Sequence, residues 1–376
     1  MSDAFPPQQY PQDQPQPANL GQPPAQYLPP VVPPAAFAAL PLQETEPLEY
    51  HRLYRGIRNY RWWKPLLMLV LAGAFYLAFN VVIGVVFGIV AIAVAPQWLD
   101  IEFINSLVVP DTQNPASIAV GLGAVALMIP AVWLAMLCLG IRPLGRGWSV
   151  GLRLRWGLIW RTGLLAIGVM GVITLLDSVV SPLFSGVSSD APPAAASPEF
   201  DPTLALWSAL FIVLLVPFQA AAEEYVFRGM LMQVLGTWVR SPWLAMLLPT
   251  LLFALAHIYD IWGLLAVAAM GFTAAWLAWR TGGLEAAVAI HVVNNLVAFG
   301  VMATGVTGET GQTVTGAGPG TVIAEVIGLA LFAWVTELIW KRGGWSRTRI
   351  DFVAPRPLPM APAALGSHTN GQDSLV

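Results

Sequence analysis

Charged residues are scarce in this chain of 376 residues. They make up 10% of it, whereas about 25% is usual for a soluble domain. Hydrophobic residues make up 56%, and the mean hydropathy is +0.65. Because so few charges cannot cover a surface in water, the composition excludes a soluble globular protein. The formal net charge of −3 gives no sign of nucleic-acid binding.

Cysteine is also scarce, and one segment lacks basic residues. Cys138 is the single cysteine, which excludes internal disulfides and metal sites built from several cysteines. Because it lies in an apolar run, we interpret Cys138 as a thiol packed in the core. Residues 1–49 contain thirteen prolines, many glutamines and neither Lys nor Arg. We predict that this segment and residues 351–376 are disordered tails.

Long apolar runs make up much of the sequence. A transmembrane helix needs about 20 apolar residues to cross about 30 Å of hydrocarbon. We predict eight such helices, at 66–95, 117–139, 158–183, 203–235, 243–258, 262–279, 284–303 and 321–340. The expected fold class is all-α, a polytopic membrane protein with about eight transmembrane helices. The fourth run is unusually long and contains Pro217, which should kink it.

Lys and Arg are distributed unequally among the connections. They precede the first run and recur in alternate connections, whereas residues 97–116, 184–202 and 304–320 contain acids but neither Lys nor Arg. The positive-inside rule then places both termini in the cytoplasm. We expect an integral protein of the plasma membrane with this orientation.

Polar residues interrupt three of the apolar runs, although a charge at the centre of a membrane helix costs roughly 2.5–3.5 kcal/mol. The three sets are Glu223 and Glu224 with Arg228, His257, and His291 with Asn295. Counted at about 1.5 Å per residue from the connections that contain Lys and Arg, the three sets reach similar depths. We therefore expect them to line one cavity, open to the cytoplasm.

Helix geometry predicts how the acidic residues pair. Glu224 and Arg228 are four residues apart and share a helix face, so we expect an ion pair. Glu223 lies about 100° around the helix and has no basic partner within one turn. A buried carboxylate of this kind suits a general base. The alternative is that both carboxylates belong to a structural clamp.

Each histidine, considered alone, is weaker evidence for a functional site. His257 lies near a helix end, where an interfacial or packed histidine is more common than a functional one. His291 and Asn295 are four residues apart and share a helix face. Asn294, three residues after His291, is the alternative partner on that face. The matched depth of the three sets is what favours a functional site.

Together these residues resemble the motifs of the CAAX protease and bacteriocin-processing family (CPBP or Abi), which includes the type 2 CAAX prenyl endopeptidases. Two Glu followed by Arg correspond to EEYVFR at 223–228. Phe and then His correspond to FALAH at 253–257, and His and then Asn correspond to HVVNN at 291–295. The motifs occur in the family's order on predicted spans, and the resemblance covers about 203–303.

The resemblance implies intramembrane hydrolysis of peptide bonds. The roles that it implies are activation of water by Glu223 with His257, stabilisation of the oxyanion by His291 and Asn295, and support by Glu224, Arg228 and Phe253. The cofactor is unknown, being either none or a divalent metal such as zinc with Glu223, His257 and His291 as candidate ligands. Asn is a poor zinc ligand and no HExxH pair is present, so we favour a metal-free mechanism.

Five segments follow from this interpretation. They are a disordered Pro/Gln-rich cytoplasmic tail at 1–49, N-terminal transmembrane helices at 50–202, a catalytic core at 203–303, the last transmembrane helix at 304–350 and a disordered tail at 351–376. The expected partners are the lipid bilayer and a membrane-embedded or lipid-anchored polypeptide substrate, for which a prenylated CAAX-like tail is one option. No nucleic-acid partner is expected.

Two alternatives stay open. One is a non-catalytic bacteriocin-immunity or membrane partner-binding protein that retains the fold. The other is a transporter or proton pathway, since buried Glu and His also occur on ion routes. The sequence shows no clear internal repeat of the kind found in transporters, which counts against the second alternative.

Overall fold

The computed structural model describes residues 42–184, 200–313 and 318–353. Within these residues, 7 helices are long and apolar enough to cross a membrane, and a further apolar helix is shorter. The predicted fold class, an all-α polytopic membrane protein, is therefore confirmed. The difference from the sequence prediction lies in the fifth of the eight predicted spans.

Eleven α-helices lie within the described residues. In chain order they are α1 (Lys64–Val94), α2 (Ile101–Ser106), α3 (Pro115–Ala126), α4 (Met128–Cys138), α5 (Trp156–Val180), α6 (Pro202–Glu224), α7 (Met232–Trp238), α8 (Pro242–Leu255), α9 (Ile261–Thr281), α10 (Glu285–Thr304) and α11 (Pro319–Gly343). A π-helical segment, Tyr225–Leu231, joins α6 to α7. Short 3-10 helices lie at Tyr50–Gly56, Pro96–Leu99, Leu144–Gly147 and Ser181–Phe184.

Polar caps fix the beginnings of several spans. The Asp201 carboxylate accepts a hydrogen bond from the Thr203 amide at 2.7 Å, directly before α6. The Asp260 carboxylate accepts one from the Gly263 amide at 2.8 Å, at the beginning of α9. Because the first amides of a helix have no partner within the helix, these caps help to fix where α6 and α9 start.

The prediction of a full transmembrane helix at 243–258 is wrong. α8 has 14 residues and ends at Leu255, so its length of about 21 Å falls short of the hydrocarbon thickness. The chain then passes through residues 256–260 to the cap of α9. α8 packs against α9, and hydropathy alone did not distinguish this shorter helix from a full span.

Connections that contain Lys and Arg meet at one end of the bundle, here called the basic end. Arg146 forms an ion pair with Asp351 at 2.6 Å, and Arg155 forms one with Glu285 at 2.7 Å. All four side chains are nearly buried. These ion pairs join the connection between α4 and α5 to the start of α10 and to the chain that follows α11.

Part of the predicted tails also lies at the basic end. Four strands of two residues form two antiparallel pairs, β1 (Gln43–Glu44) with β4 (Phe352–Val353) and β2 (Leu48–Glu49) with β3 (Thr348–Arg349). Residues 43–49 and 351–353 are therefore structured, which corrects the tail boundaries at 49 and 351. Residues 1–41 and 354–376 lie outside the described residues.

The opposite end, here called the acidic end, brings together connections that lack Lys and Arg. The Thr112 amide donates to the Thr310 carbonyl at 2.8 Å, and the Gln312 amide donates to the Pro110 carbonyl at 2.9 Å. The alternation of basic and acidic connections in the sequence is thus an alternation between two ends of one bundle. Residues 185–199, which form most of the acidic connection at 184–202, lie outside the described part.

α10 occupies the middle of the bundle, where it packs against α5, α6 and α9. α1 packs mainly against α4 and exposes apolar side chains along its length, such as Val81 at 64% and Ile92 at 68%. A continuous apolar exterior of this kind is suited to lipid. Cys138, interpreted above as a core thiol, is exposed at the end of α4, so that interpretation is wrong.

Candidate active site

Three helices bring the predicted catalytic residues together. Glu223 lies at the end of α6, His257 lies just after α8, and His291 and Asn295 lie in α10. All four line one cavity of about 620 Å³. The matched depth inferred from the sequence therefore corresponds to a shared cavity in the structure.

The ion pair expected from the four-residue spacing is present. Arg228 Nη1 donates to Glu224 Oε1 at 2.9 Å, and Arg228 Nη2 donates to the Gly271 carbonyl of α9 at 2.9 Å. The side chains of Arg228 and Glu224 are 0% and 1% exposed. The pair is therefore enclosed behind the cavity, where each charge depends on the other because water is excluded.

His291 supplies the second partner that the acidic pair needs. Its Nδ1 donates to Glu224 Oε1 at 2.8 Å, and its Nε2 lies 3.2 Å from Glu223 Oε2. The second approach is not aligned as a hydrogen bond, and Glu223 Oε2 has no aligned donor among the described residues. His291 thus bridges both carboxylates, so Glu223 has a neighbour that its own helix does not provide.

A π-helical segment begins directly after the two acids. It extends from Tyr225 to Leu231 and contains Arg228. Such segments are rare and occur frequently at functional sites, because the wider turn redirects side chains. The sequence spacing gave no sign of it, and the segment packs against α4, α8 and α9.

Phe253 packs at the centre of the site. Its ring centroid lies 4.4 Å from the Arg228 guanidinium carbon, 4.8 Å from the His257 ring and 5.8 Å from the His291 ring. The ring therefore contacts the buried cation on one face and the two imidazoles at its edges. This arrangement explains why the Phe in the second motif accompanies its His.

The hydrogen bond of His257 determines its tautomer. His257 Nδ1 lies 2.8 Å from the Phe253 carbonyl. Since a carbonyl only accepts, Nδ1 carries a proton, and in the neutral ring Nε2 keeps its lone pair. The carbonyl comes from the last turn of α8, so the end of that short helix holds the imidazole in place.

Amide side chains form the remaining polar wall. Asn295 Nδ2 donates to Gln219 Oε1 at 3.0 Å, and Asn294 Nδ2 donates to Asn295 Oδ1 at 3.2 Å. Each of these NH₂ groups has two hydrogens, so each keeps one that can serve another acceptor. Gln219 was missed from the sequence although it lies one turn before Glu223, where the four-residue spacing was a usable signal.

The cavity extends to the acidic end of the bundle. Its wall there includes Pro110, Tyr259, Met302 and Gln312, and Gln312 Nε2 donates to Tyr259 Oη at 2.6 Å across this region. No described residue of the basic connections lines the cavity, so the predicted opening on that side finds no support in its lining. Counting residues along the helices gave depth but not the direction in which the space between them widens.

The donor set does not fit a metal ion held by three ligands. In residues 42–184, 200–313 and 318–353, no group of three or more His, Cys, Asp or Glu side chains is arranged to bind one. Both His291 nitrogens face carboxylates, Nδ1 toward Glu224 and Nε2 toward Glu223. Of the two candidate histidines, only His257 has a ring nitrogen, Nε2, that does not face a carboxylate or a carbonyl.

Comparison with known proteins covers the same part of the chain. Residues 204–297 match the family model for the type II CAAX prenyl endopeptidase Rce1-like family. An uncharacterized protein of Bacillus subtilis (strain 168), YyaK, is 26% identical over 175 residues, which are 45% of this chain and 55% of YyaK. The match thus spans about half the length of this curated relative. No solved structure matches significantly.

Proposed function

We propose, on the premise that residues 204–297 form an Rce1-like domain of the CAAX protease family, that this chain is an intramembrane endopeptidase. The observation that carries the proposal is the single cavity lined by Glu223, His257, His291 and Asn295. A carboxylate, two imidazoles and an amide around one space inside a membrane bundle supply a base and hydrogen-bond donors for hydrolysis of a peptide bond.

Glu223 acts as the general base on a water molecule. The position of its Oε2 atom supports this role, because this buried oxygen lacks an aligned donor and can accept a proton. His257 accepts a second hydrogen bond from the same water through Nε2, since its Nδ1 hydrogen is held by the Phe253 carbonyl. The resulting hydroxide attacks the carbonyl carbon of the scissile bond.

Asn295 stabilises the oxyanion of the tetrahedral intermediate with the hydrogen of its NH₂ group that Gln219 does not use. The contacts of His291 support a different role from the one that the family resemblance implies. Because its two nitrogens face Glu224 and Glu223, His291 positions the base. Collapse of the intermediate then transfers the proton from Glu223 to the leaving amine, which restores the Glu223 carboxylate.

The substrate is a polypeptide held in or at the membrane. The orientation of the cavity supports entry from the acidic end, because Tyr259 and Gln312 belong to its wall. With the basic end in the cytoplasm of the plasma membrane, this entry lies on the side of the membrane opposite to both termini. A prenylated CAAX-like tail is one substrate within this class.

The test is cleavage of lipid-anchored peptides by the purified protein in lipid vesicles. Glu223→Gln keeps the size of the side chain and should reduce kcat/KM by about 10²- to 10⁴-fold, because general base catalysis is lost. Glu102→Gln, on the exposed face of α2, is the matched control and should retain activity. A parallel assay with a chelator should show unchanged rates if no metal takes part.

Equal cleavage by wild-type protein and Glu223→Gln would remove Glu223 from the mechanism. Absence of cleavage across the panel, together with full cellular function of the Glu223→Gln variant, would favour the non-catalytic immunity or partner-binding protein. A rate that depends on the chelator would assign a metal that the described donor geometry does not predict.

A further inference from the structure

Glu325 is a second carboxyl group in the cavity that the motifs do not include. It lies in the first part of α11, near the acidic end, and lines the same cavity as Glu223. Within the described residues its side chain has no hydrogen bond and no ion pair. The other acid of α11, Glu337, is paired with Arg280 and Lys341 at the basic end.

A carboxyl group without a partner is unfavourable inside a membrane span, so its presence indicates a function. α11 supplies no cation near it, because Lys341 and Arg342 lie in the last turn of the helix. Stability would be better served by an apolar residue at this position. A partner from outside the chain would remove the cost of the unpaired carboxyl.

The charges around the cavity favour a cationic partner. The described lining includes Glu223 and Glu325 but neither Lys nor Arg. Its basic groups are His257 and His291, and His291 already faces Glu223 and Glu224. Arg228 is enclosed behind the lining by Glu224 and Phe253. The acidic end, to which the cavity extends, also lacks Lys and Arg in its described connections. A negative, low-dielectric passage concentrates positively charged groups.

We propose that Glu325 binds a lysine or arginine side chain of the substrate and so selects polypeptides with a basic residue near the cleaved bond. The inference rests on the proposed endopeptidase function and assigns the substrate class of that same cavity. Glu325 lies nearer the acidic end than His291, which is in the basic-end half of α10. The basic residue is therefore held between the entrance and the hydrolysed bond.

The test compares lipid-anchored peptides of one sequence in which a single residue near the cleaved bond is Lys, Arg, Gln or Glu. For wild-type protein, kcat/KM for the Lys and Arg peptides should exceed that for the Gln peptide by ~10- to 100-fold, the range expected for hydrogen bonds to a charged group. Glu325→Gln should bring this ratio close to one. Glu325→Lys should favour the Glu peptide, and the control Glu102→Gln should keep the wild-type ratio.

Binding provides an arm that needs no turnover. In the Glu223→Gln background, the dissociation constant of the Lys peptide should be ~10- to 100-fold below that of the Gln peptide, and adding Glu325→Gln should remove the difference. If no peptide is cleaved, the endopeptidase proposal fails, while this arm still decides the role of Glu325. Equal ratios with and without Glu325, or an equal loss for all peptides, would overturn the inference.

Discussion

Arg228→Met tests whether the enclosed ion pair holds the site together. Met is similar in length to Arg but cannot replace its two hydrogen bonds, to Glu224 and to the Gly271 carbonyl, both at 2.9 Å. The Arg228 side chain is 0% exposed, so water cannot take its place. The variant leaves two acidic side chains with His291 as their remaining partner.

The magnitude follows from the loss of one member of a buried pair. Leaving a buried charge without its partner costs about 3–5 kcal/mol, and the contact of the guanidinium with the Phe253 ring at 4.4 Å adds about 0.5–2 kcal/mol. We expect the free energy of unfolding to fall by about 3.5–7 kcal/mol. For a chain of this size the unfolding temperature should fall by roughly 5–10 °C.

The assay is thermal unfolding in detergent, followed by the fluorescence of the 16 tryptophans. The control Arg153→Met removes an exposed arginine and should change the stability by less than about 0.5 kcal/mol. The double variant Glu224→Gln with Arg228→Met removes both charges of the pair. It should be more stable than Arg228→Met alone, with a coupling energy of about 0.5–3 kcal/mol.

Two results would refute this reasoning. A loss of less than about 1 kcal/mol in Arg228→Met would mean that water or lipid reaches the site. Additive effects of the Glu224 and Arg228 changes in the double variant would mean that the ion pair does not link them energetically.

Three other changes test separate parts of the molecule. Burial lowers the pKa of His51 from 6.5, so the native ring stays neutral at a pH where the unfolded chain already binds a proton. The unfolding temperature should therefore drop as the pH is lowered below about 6.5. If His51→Gln shows the same dependence of unfolding temperature on pH as the wild-type protein, this explanation is contradicted. Gly271→Ala places a methyl group 2.8 Å from Arg228 Nη2 and 3.0 Å from Phe253 Cδ1. Unfolding assays should therefore show that the free energy of unfolding falls by about 1–3 kcal/mol. Wild-type stability would mean that the neighbouring side chains can move aside at little cost. Asn295→Ala should lower kcat by about 10²- to 10³-fold with little change in KM, whereas a change confined to KM would assign Asn295 to substrate binding.

Local spacing predicted the part of the site that a single helix builds. The pair Glu224 and Arg228 was foreseeable because residues four apart share a face. The bridge from His291 to both acids was not, because it depends on how α10 is rotated against α6. Glu325, an isolated acid in the last apolar run, was not predicted for the same reason, because its place in the cavity depends on how the helices pack.

Two features of the fold were hidden from the sequence for a different reason. Hydropathy reports an apolar environment but does not say where a helix stops, so the run at 243–258 was predicted to be a full span although α8 ends at Leu255. The π-helical turn after Glu224 depends on packing against neighbouring helices rather than on local propensity. The direction of the cavity, likewise, depends on the space between helices.

The shortness of α8 has a consequence for the lipid around the protein. A wall of about 21 Å beside neighbours that match a bilayer of about 30 Å produces hydrophobic mismatch, which lipids relieve by thinning locally. Headgroups and their hydration water then descend toward His257, at the end of α8. Local thinning of the membrane would thus bring the water needed for hydrolysis close to the site. A thicker, stiffer bilayer should reduce the hydration of the cavity and slow turnover.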